Sequence, residues 1–174
     1  SSDARLYVKP AWRYTDDGLF YSHFEGGISW APFAWLGITP HYRQIFVGKD
    51  ADWTVEYRPG LDLNLERKFH IGTIDFRNRN EYRIKPADES VRLRYRFRFT
   101  TPGFLPGGGQ LRISDELFYD ATDSEVDYTR FLLEGRFPFS QQTRISFVLG
   151  KQFYPSSQSG TDFTIIQTNI DYKF

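Results

Sequence analysis

Residues 91–99 read Val91-Arg92-Leu93-Arg94-Tyr95-Arg96-Phe97-Arg98-Phe99. The odd positions are apolar or aromatic and the even ones are all arginine, which is the period of a β-strand, where successive side chains point to opposite faces. A helix would put positions three and four apart on one face and mix the two kinds. Four guanidinium groups in register on one side cannot form the core face of a soluble sheet. The strand therefore has one greasy side and one charged side, and each needs its own surroundings.

The same two-sided pattern runs along 53–66. Its odd set is Trp53, Val55, Tyr57, Pro59, Leu61, Leu63 and Leu65, and its even set is Thr54, Glu56, Arg58, Gly60, Asp62, Asn64 and Glu66. Similar runs are read at about 5–15, 18–30, 34–46, 72–84, 110–120, 127–139, 143–154 and 162–174. Polar or Gly/Pro-containing breaks separate many of them, such as Asp16-Asp17-Gly18, Pro86-Ala87-Asp88-Glu89, Ala121 to Glu125 and Pro155 to Gly160. The sum is about ten strands. Segments this long exceed the usual globular strand of about 5 or 6 residues and match the ~9 to 11 tilted residues that cross a hydrocarbon core. The expected fold is all-β: an antiparallel up-and-down transmembrane β-barrel of about ten strands, occupying residues 1–174 as a single domain. An even strand count puts both termini on one side, as in bacterial single-chain barrels.

Composition agrees. Aromatics make up 18% of the 174 residues, with 17 Phe and 11 Tyr, and these favour strands. There is no Cys, which removes thiol catalysis, disulfides and thiolate metal sites and suits an oxidising compartment. Twenty-two basic and 22 acidic residues cancel, so no global field draws the chain to nucleic acid. No stretch approaches the roughly 20 consecutive apolar residues of a membrane helix, so any crossing is made by strands. The chain opens Ser1-Ser2-Asp3 with neither Met nor a basic-apolar leader, which reads as a mature or trimmed form whose targeting segment has gone.

The last strand carries the most specific signal. Apolar or aromatic residues fall at Ile166, Ile170, Tyr172 and Phe174, with the aromatic at the carboxy terminus. This resembles the C-terminal strand signal of bacterial outer-membrane barrels, in which Ile170, Tyr172 and Phe174 stand at the positions read by the barrel-assembly machinery. A soluble protein whose final strand happens to end in Phe is the plainer alternative.

A broader resemblance rests on three runs: Phe76-Arg77-Asn78-Arg79-Asn80-Glu81-Tyr82-Arg83, Arg92 to Arg98, and Ser114-Asp115-Glu116-Leu117-Phe118. Together they are similar to an uncharacterised family of bacterial outer-membrane proteins, a domain of unknown function, over about the second half of the chain. The resemblance implies an outer-membrane location and a barrel fold. It brings no activity, cofactor or catalytic residue.

Nearly all sixteen arginines fall in the inward phase. The expected polar lining is Glu56, Arg58, Arg77, Arg79, Glu81, Arg83, Arg92, Arg94, Arg96, Arg98, Arg112, Glu116, Arg130, Glu134, Arg136 and Arg144, joined by Arg13, Arg43, Glu25, Asp62 and Glu66. A guanidinium suits a crowded polar interior because it keeps its charge and offers five donors in a fixed fork. Neighbouring strands can then be joined by bidentate Arg-carboxylate pairs. Rings of Arg can also favour anions. Barrels of about eight strands have interiors filled by side chains, so a salt-bridged filling outweighs an open channel, and a thin conduit for small solutes or anions is the variant reading.

Three histidines raise an enzyme alternative, an outer-membrane lipid or peptide hydrolase. His23 and His41 are in inward phase and His70 lies near the phase break at Gly72, but the chain has no nucleophile elbow and no His-based metal spacing. The Gly-rich 102–109 lacks the Lys and Ser/Thr of a phosphate loop and reads as a turn. At 91–99 arginines and aromatics lie on opposite faces, so they make no nucleic-acid stacking platform. The remaining alternative is a soluble or periplasmic lipocalin-like carrier with its apolar set inside; Asn78, Asn80 and Asp115 in the apolar phase and Pro10, Pro40 and Pro59 inside ladders favour it. The expectation is a non-enzymatic barrel of the bacterial outer membrane without metal or cofactor. Its partners would be the bilayer, the assembly machinery, and conceivably lipopolysaccharide phosphate or another envelope protein.

Overall fold

The computed structural model describes residues 4–15, 18–49, 52–155 and 161–172, leaving aside the side chains of Arg13, Thr15, Lys49 and Tyr172. Among these residues the chain is all-β, with ten strands: β1 (Ala4–Thr15), β2 (Gly18–Phe33), β3 (Leu36–Lys49), β4 (Asp52–Phe69), β5 (Gly72–Lys85), β6 (Asp88–Thr100), β7 (Gln110–Asp120), β8 (Glu125–Pro138), β9 (Thr143–Phe153) and β10 (Phe163–Tyr172). They form one sheet whose order in space is the order in the chain. Neighbours run antiparallel, as in Arg43 opposite Arg58, Glu25 opposite Arg43, and Ile170 opposite Ile145.

The strands form where alternation is strict, and they run past it where the turn residues are apolar. The chain reverses at Ala34-Trp35 and at His70-Ile71. Neither pair contains Gly, Pro, Asn or Asp, so the reading that began a strand at residue 34 missed the first turn, and β4 continues past Glu66 to Phe69. Phe33, the last residue of β2, and Trp35, within the first turn, stack their rings at 5.5 Å and 5°. At 101–109 the expected turn is a single 3-10 turn, Pro106–Gly108, in which Gly107 and Gly108 take φ of 68° and 76°. Only glycine adopts two such successive angles at little cost, which accounts for Gly107 and Gly108, while a Cβ on the extended Gly109 would stand 2.9 Å from the Phe137 ring.

Pro10, Pro40 and Pro59 sit inside strands rather than ending them. Pro40 faces Leu61 in β4, and the β2–β3 pairing is interrupted, with its register unchanged, between Gly27↔His41 and Trp30↔Ile38, the stretch containing Pro40, which has no N–H to give.

Burial is inverted relative to a water-soluble protein. Among the described residues only Ile45, Phe118 and Val148 are buried apolar side chains, whereas fifteen buried residues are polar or charged. The outward set is apolar: Leu6, Val8, Trp12, Phe24, Trp53, Tyr57, Leu61, Phe97, Phe131, Phe147, Ile166 and Ile170 are all exposed.

The chain divides into two compact units. Unit 1 comprises Ser1–Leu65, Asn78–Leu93 and Asp120–Ser124, and unit 2 comprises Glu66–Arg77, Arg94–Tyr119 and Glu125–Phe174. Within each, the polar side of the sheet is the inside of a curl. In unit 1, Arg79 on β5 reaches Glu25 on β2 at 3.3 Å across two intervening strands. In unit 2, Arg77 on β5 reaches Glu116 on β7 at 3.4 Å. Strands stand about 4.8 Å apart, so side chains projecting from a flat sheet would not converge over three such spacings, as Arg79 and Glu25 do.

Candidate functional site

In unit 1 the polar face carries Arg43, Arg58, Arg79 and Arg83 woven with Glu25, Glu56, Asp62 and Glu81, besides Arg92 and the buried Asp120. Arg79 donates to both oxygens of Asp62, at 2.6 and 2.8 Å. Glu25 accepts from Arg43 Nε at 2.7 Å, from Arg43 Nη2, from Arg79 and from the Tyr7 hydroxyl at 3.0 Å. Glu56 accepts from Arg58 at 2.9 and 2.8 Å and from Arg83 at 2.7 Å. Glu81 lies 3.7 Å from Arg43 and 3.8 Å from Arg79. The set is charge-balanced, as shielded ions must be if their desolvation is to be offset.

His41 is enclosed in this cluster, with Nδ1 3.7 Å from Asp62 and 3.4 Å from the Thr39 carbonyl oxygen. Gly60, opposite it in β4, provides the space, since a Cβ there would stand 2.5 Å from His41 Nε2. His23 meets the Tyr21 hydroxyl at 3.0 Å. Among the described residues no group of three or more His, Asp or Glu is arranged to hold a metal ion.

Unit 2 is built differently. Its shielded face holds seven arginines, Arg77, Arg94, Arg96, Arg98, Arg112, Arg130 and Arg136, beside three carboxylates, Asp75, Glu116 and Glu134. Glu116 accepts from Arg94 at 2.6 Å and Arg77 at 3.4 Å, with Arg130 at 3.9 Å. Asp75 is shared by Arg98 and, at 3.2 Å, Arg96. Glu134 takes Arg112 at 3.0 Å and Arg136 at 3.4 Å. Arg130 also donates to Gln152 Oε1 at 2.7 Å, and Gln152 Nε2 donates to the Tyr154 hydroxyl at 2.7 Å.

An aromatic stack lies in the same polar face. Phe118 and Tyr128 are 4.1 Å apart between ring centroids, and Tyr154 is 5.7 Å from Tyr128. The Arg94 and Arg130 guanidiniums lie 4.6 and 5.2 Å from the Phe118 ring centre, within cation–π range. The expectation of an interior filled by arginine and carboxylate missed these rings, although they share the phase of Glu116, Arg130 and Gln152.

Of the remaining residues singled out in the sequence, Arg92 is half-buried on β6. Two depart from the shielded placement. Arg144 has the expected phase but sits at the start of β9 and is exposed, and Glu66, near the end of β4, is exposed with Lys68 3.9 Å away. Alternation fixes which face a side chain takes; position along the strand fixes how far it is covered. At the end of β10 Ile170 is exposed, the Tyr172 side chain and all of Phe174 lie outside the described residues, and Asn78 and Asn80 form an outward amide pair at 2.7 Å on β5.

A family described as "Protein of unknown function (DUF2490)" matches residues 1–163. The match takes in the first half of the chain as well as the second, so the resemblance reaches further than the three arginine-rich and acidic runs, and it ends where β10 begins. No curated protein and no solved structure matches the chain.

Proposed function

The chain belongs to this family of unknown function, and from that premise we propose that it is a β-barrel of the bacterial outer membrane whose arginine- and carboxylate-filled interior is structural. The single observation that carries the reading is the inverted burial, fifteen buried polar or charged residues against three apolar ones among the described residues. Contiguous exposed apolar surface beyond a few hundred Å² is rare on soluble monomers, whereas acyl chains are its natural cover. Closure of the ten strands into a barrel would remove the free sheet edges, a requirement in hydrocarbon. Phe33, Trp35, Phe69 and Ile71, all exposed beside two tight turns, suit an interfacial belt. A lipocalin-like carrier would bury the apolar set that is outermost here.

A second reading, a narrow conduit for small anions, draws on the arginine excess of unit 2. Detergent dependence tests the membrane location: the purified protein should be monodisperse only with detergent, and a monodisperse detergent-free sample would reject it. Single-channel recording with anion and cation gradients separates the two roles. A silent bilayer supports the structural role, and discrete anion-preferring steps support the conduit.

A further inference from the structure

The excess positive charge of unit 2 is not spread evenly. β6 and β8 end, and β7 and β9 begin, at one end of an antiparallel sheet, which gathers Arg96, Arg98, Arg112, Arg136 and Arg144 there. Arg98, Arg112 and Arg136 lie within electrostatic reach of one another, Arg96 neighbours Arg98, and Arg136 neighbours Arg144. The carboxylates among them are Asp75, Glu134 and the exposed Asp171, 3.9 Å from Arg136, while Glu116, held mainly by Arg94 and Arg77, also acts on Arg96. Guanidiniums outnumber carboxylates in this cluster, and across unit 2 the seven shielded arginines face Asp75, Glu116 and Glu134, so positive charge is left over.

The side chains of Arg96, Arg98, Arg112 and Arg136 are each between 13% and 22% exposed. Shielding like charges together is costly unless a counter-charge joins them. Their donors are only partly engaged: Arg96 Nε is buried without a hydrogen-bond partner among the described residues, and Arg136 makes ion contacts at 3.4 and 3.9 Å. Arg144 is exposed and lines a cavity of about 160 Å³ with Ser140, Thr143 and Asp171. The cations thus run from an exposed mouth at Arg144 inward to Arg96, beyond which Arg94 lies over Phe118. Clefts lined by one sign of charge concentrate counter-ions.

We propose that Arg96, Arg98, Arg112 and Arg136 form a binding site for a phosphate group, entered past Arg144. Planar guanidinium forks match the geometry of phosphate oxygens, which distinguishes this ligand from a simple halide. The site takes from the membrane-barrel reading only that the polar face is enclosed, and it does not require conduction.

The test is calorimetric titration of the full chain in detergent with inorganic phosphate, and separately with mixed micelles containing phosphatidic acid. At least one should bind saturably, the first marking a free phosphate ligand and the second alone a lipid headgroup. Arg98→Gln with Arg112→Gln should weaken that binding at least tenfold, while Lys68→Gln with Lys85→Gln, which removes equal charge from positions outside the cluster, should leave it within about twofold. Should the first pair not fold, judged by its strand circular dichroism, Arg136→Gln provides the same comparison. Saturable binding of neither probe, or equal loss in the lysine control, overturns the proposal. A protein monodisperse without detergent would reject the membrane reading and leave the titration interpretable in buffer.

Discussion

Arg79 on β5 grips Asp62 on β4 through two parallel hydrogen bonds, 2.6 and 2.8 Å long, with both side chains less than a tenth exposed. The same guanidinium reaches Glu25 on β2, so one side chain ties three strands of unit 1. Removing one partner of such a pair costs more than the pair itself contributes, because it strands a shielded charge. Asp62→Ala should destabilise the protein by about 3 to 5 kcal/mol. The double variant Arg79→Met with Asp62→Leu should recover most of that loss, and urea unfolding in lipid vesicles measures both.

The outward face sets a second expectation. Leu61 is exposed at the middle of β4, one residue from buried Asp62. In a bilayer Leu61→Arg should cost about 2 to 4 kcal/mol. On a water-facing surface the same change should stay within about 0.5 kcal/mol. Equilibrium unfolding of the two proteins distinguishes the cases.

Gly60 makes a third. A methyl group there would meet His41 Nε2 at 2.5 Å and the Asn80 carbonyl oxygen at 2.7 Å, one of them backbone. Gly60→Ala should therefore destabilise by about 1 to 3 kcal/mol. Adding His41→Ala should relieve the contact with the ring but not the one with the carbonyl, giving partial rescue in the same unfolding measurement.

Phe118 supports a fourth. It is buried, stacked on Tyr128 and flanked by Arg94 and Arg130. Phe118→Ala should cost about 3 to 5 kcal/mol, and Phe118→Leu, which keeps volume but loses the ring, should cost clearly less than alanine but more than zero. Thermal unfolding of the three proteins in one detergent ranks them.

The sequence made the sheet legible because the two faces face opposite requirements. Where Val91 to Phe99 alternates without exception, the strand and its phase follow from a period of two. What alternation could not carry was punctuation and partnership. Ala34-Trp35 and His70-Ile71 turn the chain without turn-forming residues, so β2 and β4 ran longer than expected. Which carboxylate each arginine meets depends on register and curvature: Arg79 pairs with Glu25 54 residues away, and Arg58 with Glu56 on its own strand. The Phe118, Tyr128 and Tyr154 stack is hidden for a related reason, since the expected interior holds arginine and carboxylate alone, although the phase of these rings places them among the arginines. Arg144 had the right phase and the wrong depth, because the end of a strand is open whichever way its side chains point.

All four tryptophans bear on the central claim, that the outer face touches acyl chains. Trp12, Trp30 and Trp53 project from the apolar side of β1, β2 and β4, Trp35 sits in the turn after β2, and each is more than two fifths exposed. Tryptophan fluorescence of the protein reconstituted in vesicles of bromine-labelled phosphatidylcholine measures that contact directly, because bromine quenches only rings it meets. The account predicts strong quenching relative to unlabelled vesicles of the same composition. Fluorescence unchanged by the bromine label would contradict it.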